Sequence, residues 1–428
     1  MASKFIALPK GVSEKTFEAA IAEFGSILGQ DSVLVTAEQL APYIKTMMPV
    51  PDADHAPSAA LLATTVEQIQ QIVGVCNQYK VPIWMISTGR NFGYGSAAPA
   101  ERGQVVLDLK RMNRILEVDP DLCFALVEPG VTYKQLYDYI QEHKYPLWLS
   151  CPAPSAIAGP TGNTLDRGVG YTPYGEHFLF ACGMEVVLAN GEVLRTGMGS
   201  LPKSNTWQVF KWGYGPYLDG IFTQSNYGIV TKFGFWLMPA PPAFKPFVIQ
   251  YEHEDDIVEI VETIRPLRIS GVIPNAIVIA HALYEAPTKA NRSDYVTGPG
   301  AITDDAVRQI MKDHKLGVWN VYAALYGTQE QIDVNWKIVT DAFSKSGKAK
   351  VLTEQEAGDD PAFQYRAALM RGDMTLKEFS LYNWRGGGGS MWFAPVSQAR
   401  GSETLKQMAM TKRILGKYGL DYSGEFIV

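Results

Sequence analysis

Residues 87–96 constrain the fold of this chain more than any other segment, because three glycines stand within seven residues between two apolar runs. The segment reads STGRNFGYGS, with glycines at 89, 93 and 95. Glycine admits positive φ angles, and successive N–H groups in such turns form a concave nest for anionic oxygens, which suits a diphosphate. The spacing matches neither a G-x-G-x-x-G fingerprint nor a G-K-[ST] phosphate loop. By itself the segment fits an ordinary strand-to-strand turn equally well.

The elements before this segment indicate a cofactor-binding α/β unit. Residues 59–62 form a short apolar run typical of a buried strand. Apolar residues then recur with helical spacing at Ile69, Ile72, Val73 and Cys76. A second apolar run at 81–86 leads directly into the glycine segment. A strand-helix-strand unit that ends at an anion nest is the usual layout of such a domain.

Composition limits the classes of function. The chain has 428 residues, 46% of them hydrophobic and 19% charged, which predicts a well-cored protein of two domains. A net charge of -6 without a run of like charges argues against nucleic acid as a partner. Without a signal pattern or an eighteen-residue apolar run, we expect a soluble chain with no export signal of its own and no membrane partner. The histidines are scattered, so no metal site is predicted. The four cysteines lack C-x-x-C spacing and are expected to be buried thiols.

Residues 152–178 are rich in small residues and lack a periodic pattern, which is typical of a binding surface inside a domain. Two strands joined at Asn190-Gly191 predict a hairpin over 183–195. Another strand follows Gln224. The proline-rich stretch at 239–242 then breaks the pattern, so we place the domain boundary there. The predicted domains are 1–242 and 243–428.

Residues 243–353 predict a βαββαβ order, with strands at 247–251, 276–280, 318–325 and 350–352. Helices are predicted at 255–265 and 328–343. This order favours a ferredoxin-like antiparallel sheet with its helices on one face. The expected fold class is therefore α+β, and the second domain is expected to cap a cavity on the first.

Four segments together resemble the flavin domain of the vanillyl-alcohol oxidase and p-cresol methylhydroxylase family: 88–99, the Glu128-Pro129-Gly130 turn, 162–177 and 224–231. They occur in the family's order, and the resemblance extends along essentially the whole chain. It implies that the chain binds FAD in the two-domain fold of that family. The implied FAD-binding residues are Thr88, Gly89, Arg90, Asn91, Gly93, Pro129, Gly130, Gly162, Asn163, Gly170 and Ile229.

Residues 377–395 contain four successive glycines at 386–389 and resemble the cap segment of p-cresol methylhydroxylase. The resemblance implies that Tyr382 bonds covalently to the flavin. The oxidase branch uses a cap histidine instead, and this chain has no histidine after His314. Trp392 matches a tryptophan of p-cresol methylhydroxylase that lies on the side of the flavoprotein from which electrons pass to a cytochrome c subunit.

The oxidase branch has an aspartate near the flavin where this chain has residues 151–156 without a carboxylate. The resemblance therefore leaves Glu378 and Glu425 as acid/base candidates, and Tyr94 as the tyrosine that holds a phenolic oxygen. Each has an ordinary alternative. The glutamates fit solvated or salt-bridged side chains, and the tyrosine fits a packed core residue.

The implied reaction is dehydrogenation and hydroxylation of 4-alkylphenols such as p-cresol. Hydride leaves the benzylic carbon for FAD, a quinone methide forms, and water adds to it. Electrons then pass to a cytochrome c subunit, which must carry the haem because this chain has no C-x-x-C-H site. The resemblance also implies a flavoprotein homodimer within a larger complex. It favours the periplasm, whereas the missing signal pattern favours the cytoplasm.

Two other functions stay open. One is an FAD-dependent oxidase of aryl alcohols or 4-alkylphenols that passes electrons to oxygen. The other is an inactive fragment that binds only flavin or a partner, because the sequence stops on an apolar, strand-like stretch at 425–428. On that interpretation the second domain is incomplete at its C-terminus.

Overall fold

A computed structural model describes residues 4–153, 155–386 and 390–428. Pro154 and the glycines at 387–389, which the sequence singled out, lie outside the described residues. The α-helices are α1 Glu14–Leu28, α2 Ala37–Leu40, α3 Val66–Tyr79, α4 Tyr133–Glu142, α5 Pro160–Leu165, α6 Ile257–Ile269, α7 Ala282–Glu285, α8 Asp304–His314, α9 Gln329–Phe343, α10 Glu354–Ala357, α11 Pro361–Arg371, α12 Phe379–Tyr382 and α13 Gly401–Lys417.

Within the described ranges, the β-strands form four sheets. They are β1 Val33–Leu34, β2 Ala59–Leu62, β3 Ile83–Ile86, β4 Val105–Asp108, β5 Ile115–Asp119, β6 Phe124–Val127, β7 Leu147–Trp148, β8 Ala181–Leu188, β9 Val193–Arg195, β10 Gly228–Trp236, β11 Met238–Pro239, β12 Ala243–Tyr251, β13 Val278–His281, β14 Trp319–Gly327, β15 Lys350–Thr353 and β16 Glu425–Ile427.

The predicted strand-helix-strand unit is present as β2, α3 and β3. Strand β4 lies between β2 and β3 and is parallel to both, in the sheet order β1-β2-β4-β3. Thr65 caps α3 by accepting a hydrogen bond from the Gln68 N–H, and Ile69 and Ile72 are buried on the face of α3 that packs on the sheet. This packing fixes the end of β3, from which the glycine segment starts.

The second sheet of this half is antiparallel, in the order β5-β6-β10-β8-β9. The predicted hairpin is confirmed, with Val187 of β8 opposite Val193 of β9. Ile229 lies on β10 opposite Val187, so the strand predicted after Gln224 begins beside this hairpin. Cys76, Cys151 and Cys182 are buried free thiols, as expected, whereas Cys123 is half-buried.

The second half confirms the ferredoxin-like prediction. Its strands are antiparallel in the order β15-β12-β14-β13, which is the 4-1-3-2 order of a βαββαβ unit, and β16 extends the sheet beside β13. Helices α6, α9 and α13 pack on one face. The other face is covered by α11, through Phe363 and Leu369. A boundary at residue 242 between the halves stays a prediction.

Among the described residues, no helix combines the length and the apolarity needed to cross a bilayer.

Candidate active site

A large cavity lies between the glycine segment and parts of the second half of the chain. Its volume is about 2350 Å³, more than twice the upper end of the range of about 300–1,000 Å³ that is usual for small-molecule sites. The glycine segment and α5 line one part of it. Residues from α7, α12 and β16 line another part. A cavity of this size has room for an extended cofactor together with a substrate.

The glycine segment has the geometry of an anion nest. Gly89, Gly93 and Gly95 have φ angles of 65°, 78° and 110°, which favour glycine. The backbone N–H groups of residues 88–92 donate no hydrogen bond to any described residue. Residues 88–92 also line the cavity. These donors are therefore available to the oxygens of a diphosphate.

Two glycines at the start of α5 let this helix pack closely against the glycine segment. A Cβ atom on Gly159 would lie 2.8 Å from Thr88 Cγ2 and 2.9 Å from the Val131 carbonyl oxygen. A Cβ on Gly162 would lie 3.0 Å from Ser87 Cβ. The hydroxyls of Thr161 and Ser225, both on the cavity wall, have no hydrogen-bond partner among the described residues. A buried hydroxyl without a hydrogen-bond partner costs free energy, so these two hydroxyls favour a polar ligand at this wall.

The structure brings most of the residues named from the sequence to the wall of this one cavity. Those that line it are Thr88, Gly89, Arg90, Asn91, Pro129, Gly162, Asn163, Ile229, Tyr94, Glu378, Tyr382, Trp392 and Glu425.

Three predicted glycines lie behind the wall instead. Gly130 packs against the backbone, where a Cβ would lie 2.6 Å from the Leu109 carbonyl oxygen. Gly170 packs against Cys151, whose backbone nitrogen would lie 3.0 Å from such a Cβ. Gly93 lies under the Trp392 ring. In the structure, these three glycines allow the loops that form the cavity to pack closely.

Sequence reasoning did not single out His177 and Asp166, two polar residues that contact Asn163 and Asn91. Asn163 Oδ1 lies 2.5 Å from His177 Nδ1, and burial lowers the pKa of His177 to about 4. Asp166, on the cavity wall, accepts a hydrogen bond from Asn91 Nδ2 at 3.1 Å. Burial raises the pKa of Asp166 to about 6. These side chains connect α5 to the glycine segment and to the wall behind it.

Two tyrosines named from the sequence lie on the same wall but differ in exposure. Tyr382, at the end of α12, is 5% exposed, and its ring centroid lies 6.3 Å from that of Phe92 in the glycine segment. Burial and the charge of Glu378 raise the pKa of Tyr382 to about 12. Tyr94 is 55% exposed. It is therefore not the packed core residue that its sequence also allowed.

Glu378 is buried beside α12 and is held by two phenols. The hydroxyl of Tyr284 donates to Glu378 Oε1 at 2.9 Å, and the hydroxyl of Tyr365 donates to Oε2. Only 3% of this residue is exposed. The glutamate is therefore not the solvated side chain that its sequence also allowed, and it forms part of the cavity wall.

Glu425 reaches the cavity from the edge strand β16. Its Oε1 lies 3.3 Å from Arg366 Nη1, and its side chain is 7% exposed. Burial raises the pKa of Glu425 to about 7, the positive charge of Arg366 opposes this, and the charges of Glu378 and Glu285 add to it. A carboxyl with a pKa near 7 can both accept and donate a proton at neutral pH.

The site contains tyrosines and charges that sequence reasoning did not name: Tyr171, Tyr284, Glu285, Tyr365 and Arg366. Tyr171 and Tyr284 line the cavity. One signal was available for Arg366. It stands between Ala362, Phe363, Leu369 and Met370 at helical spacing, and a charged residue in the centre of an apolar helix face indicates a buried partner. Among the described residues, no group of three or more His, Cys, Asp and Glu side chains is placed to hold a metal ion.

Comparison with known proteins decides the family. A protein-family model described as an FAD binding domain matches residues 57–197. The 4-cresol dehydrogenase [hydroxylating] flavoprotein subunit of Pseudomonas putida is 66% identical over 422 residues, which cover 98% of this chain and 81% of the relative. The chain belongs to the family of 4-cresol dehydrogenase flavoprotein subunits. The family resemblance and the FAD cofactor inferred from the sequence are thereby confirmed.

Solved structures agree with this family. A structure of p-cresol methylhydroxylase with substrate bound is 65% identical and has a TM-score of 0.97, covering 99% of this chain and 82% of that chain. A 4-ethylphenol oxidase from Gulosibacter chungangensis, in complex with isoeugenol, is 38% identical with a TM-score of 0.95, covering 98% and 82%. The 4-cresol dehydrogenase family fold therefore extends over nearly the whole chain, as the sequence predicted.

Proposed function

We propose that this chain is the flavoprotein subunit of an enzyme that dehydrogenates and hydroxylates 4-alkylphenols such as p-cresol. One observation carries this proposal: a single cavity has an anion nest at Thr88 to Asn91 and, on its wall, two glutamates with buried side chains, Glu378 and Glu425. The nest and the α5 wall would hold FAD. FAD, when bound, supplies the two-electron acceptor for hydride from the benzylic carbon of the substrate.

The tyrosines supply the phenol-binding part of the site. Tyr94 would donate a hydrogen bond to the phenolic oxygen as negative charge develops there. A donor aimed at a developing oxyanion stabilises the transition state more than the bound substrate. Loss of the phenolic proton and of hydride leaves a quinone methide, whose exocyclic carbon is electrophilic.

Glu425 is the group best placed to activate the water that adds to this carbon. Its carboxyl is buried, faces the cavity and has a pKa near 7, so its ionised form is available at neutral pH to accept a proton from water. Both carboxyl oxygens of Glu378 accept hydrogen bonds from tyrosine hydroxyls. This supports a role for Glu378 in holding Tyr284 and in placing a charge beside the aromatic ring of the substrate.

Tyr382 is proposed as the covalent attachment point of FAD. It lies on the cavity wall within the aromatic contact formed by Phe92 and Phe379, whose centroids are 5.2 Å apart. This packing would hold its hydroxyl against a flat ring system.

A cytochrome c subunit is proposed as the electron acceptor, docked near Trp392, with the flavoprotein as a homodimer in a larger complex. Trp392 lies on the cavity wall and contacts Gly93, while its neighbours Met391 and Phe393 are 60% and 78% exposed. The name of the Pseudomonas putida relative, a flavoprotein subunit, supports a partner subunit. Exposed apolar side chains next to the cavity suit a docking surface.

An oxidase is the second candidate, and the likeness to the 4-ethylphenol oxidase favours it. The two functions differ in the acceptor. We would incubate the purified chain with p-cresol under air, with and without a cytochrome c acceptor, and measure 4-hydroxybenzyl alcohol and peroxide.

Alcohol that forms with the acceptor and little peroxide without it would support the dehydrogenase. Rapid peroxide formation without the acceptor would support the oxidase. Phenol, which lacks a benzylic carbon, and 4-methylanisole, whose oxygen cannot ionise, are the matched control substrates. A protein that contains flavin but converts no 4-alkylphenol with either acceptor would contradict both.

A further inference from the structure

Arg366 is a buried cation behind the cavity. It lies on α11 with 2% of its surface exposed. Its neighbours on this helix are apolar residues that cover the antiparallel sheet of the second half. Isolated buried charges are costly, so they occur where partners hold them. The partners of Arg366 are carboxylates from two other elements, α7 and β16.

The guanidinium is held from one side by Glu285. Both Nε and Nη2 donate to Glu285 Oε1, at 3.2 Å and 2.7 Å. Glu285 is fully buried. This pair fixes the plane of the guanidinium, because two donors meet one oxygen.

The remaining nitrogen, Nη1, faces Glu425 Oε1 at 3.3 Å. This distance allows a charge interaction, but neither atom has a hydrogen-bond partner among the described residues. Arg366 thus acts on the charge of Glu425 without occupying the lone pairs of that oxygen. Glu425 lines the cavity, whereas Arg366 and Glu285 do not.

The balance of charge here is unequal. Two carboxyls, Glu285 and Glu425, lie beside one guanidinium. A third buried carboxyl, Glu378, accepts hydrogen bonds from the hydroxyls of Tyr284 and Tyr365 instead. The proton affinity of Glu425 therefore depends on how Arg366 is shared with Glu285.

We propose that Arg366, anchored by Glu285, is a positioning residue that holds the Glu425 carboxyl at the cavity wall and sets how readily it releases its proton. The proposal rests on the proposed function, in which Glu425 accepts a proton from water. It assigns a role to two residues that do not reach the substrate.

The groups that face Glu425 act in opposite directions. Burial raises the pKa of Glu425, Arg366 on α11 lowers it, Glu378 before α12 and Glu285 on α7 raise it, and a hydrogen bond with Tyr284 on α7 lowers it. The phenols nearby are Tyr171 and Tyr284, whose own pKa values burial raises, so both stay neutral near pH 7. Removing Arg366 or Glu285 should therefore move the titration of Glu425 in opposite directions.

The test follows the protonated Glu425 carboxyl by its infrared C=O band as pH is varied, and the band is identified by its loss in Glu425→Gln. Arg366→Gln should move the midpoint up by about one pH unit or more, since an opposite charge within about 4–6 Å is removed. Glu285→Gln should move it down. Arg366→Lys keeps the charge and should restore most of the midpoint.

The pH dependence of 4-hydroxybenzyl alcohol formation from p-cresol is the second measurement, because Glu425 is proposed to act in the water-addition step, and its rising limb should move with the infrared midpoint. Arg371→Gln, on the same helix but 42% exposed, is the matched control and should move neither. Should Arg366→Gln fail to fold, Glu285→Gln and Arg366→Lys still test the proposal.

Midpoints that do not move, or that move in the same direction in Arg366→Gln and Glu285→Gln, would overturn the proposal. An equal movement in Arg371→Gln would do so too. The infrared measurement needs no turnover. Opposite movements in a protein that does not oxidise p-cresol would therefore support the positioning of Glu425 and contradict only the proposed function.

Discussion

At the scale of single residues, the site is defined by how burial changes the chemistry of ordinary side chains. Glu425 differs from a surface glutamate because its carboxyl lies in a closed wall beside one shared arginine. Tyr382 differs from a surface tyrosine because burial and the charge of Glu378 raise the pKa of its phenol to about 12.

The raised pKa of Glu425 predicts a pH-dependent cost to stability. Between its ordinary pKa of 4.5 and about 7, the folded chain keeps a proton that the unfolded chain has lost. Stability from this group is therefore lost as the pH rises through that interval, by up to about 3 kcal/mol. Relative to the unmodified chain, Glu425→Gln should gain stability between pH 5 and pH 8. Thermal melting of both proteins at the two pH values measures this, and an equal difference at both would contradict it.

Tyr382→Phe should abolish covalent attachment, because phenylalanine has no oxygen to bond. We expect the variant to bind FAD reversibly and to release it on denaturation. The measurement is the visible absorbance of the protein pellet and of the supernatant after acid precipitation. Tyr94→Phe is the matched control and should keep flavin in the pellet. Flavin that stays with denatured Tyr382→Phe would refute the proposed attachment.

The sequence identified the candidate residues through family resemblance, but not the contacts that make them a site. The resemblance implied one flavin site for Glu378, Tyr382 and Glu425, but local patterns gave no indication that all three line one cavity. Glu285 and Arg366 were missed because their pairing joins elements 81 residues apart, and periodicity reports only local neighbours. Tyr94 was expected to bind a phenolic oxygen, and its 55% exposure does not test that role.

At the scale of elements, the glycine segment and the edge strand β16 matter most. The end of β3 is held between buried neighbours, so the segment starts from a fixed point. Strand β16 pairs with β13, with Ala280 opposite Glu425, and this pairing places Glu425 at the cavity. Both elements were predicted from local patterns. Their meeting at one cavity depends on packing that the sequence does not report.

Gly89→Ala should damage the nest. An alanine there would hold a φ angle of 65°, and its Cβ would lie 3.0 Å from Ala97 Cβ. A loss of about 1–3 kcal/mol in stability is expected from such strain, together with weaker flavin binding. Gly74→Ala, on the exposed side of α3 with nothing within 4 Å, is the control.

Gly74→Ala should stabilise the chain by about 0.8–1.0 kcal/mol, because alanine favours the helix. Chemical denaturation and flavin titration of both variants give the two quantities. Equal flavin affinity in Gly89→Ala and Gly74→Ala would argue against a binding role for the segment.

At the scale of the whole molecule, a flavin-binding half and an antiparallel sheet enclose one cavity of about 2350 Å³. The α+β class and the βαββαβ element order of the second half, with its antiparallel sheet, followed from the sequence. The cover that α11 provides on the other face of this sheet did not, because an amphipathic pattern does not specify which sheet face a helix covers. That helix brings Tyr365 and Arg366 behind the cavity wall.

Anaerobic addition of p-cresol to the purified, flavin-containing chain tests most directly whether FAD and a 4-alkylphenol react in this cavity. One equivalent should bleach the visible absorbance of the bound flavin, and Glu425→Gln should slow turnover to 4-hydroxybenzyl alcohol by about 100-fold or more. Bound flavin that stays oxidised in the presence of excess p-cresol would contradict the proposed function.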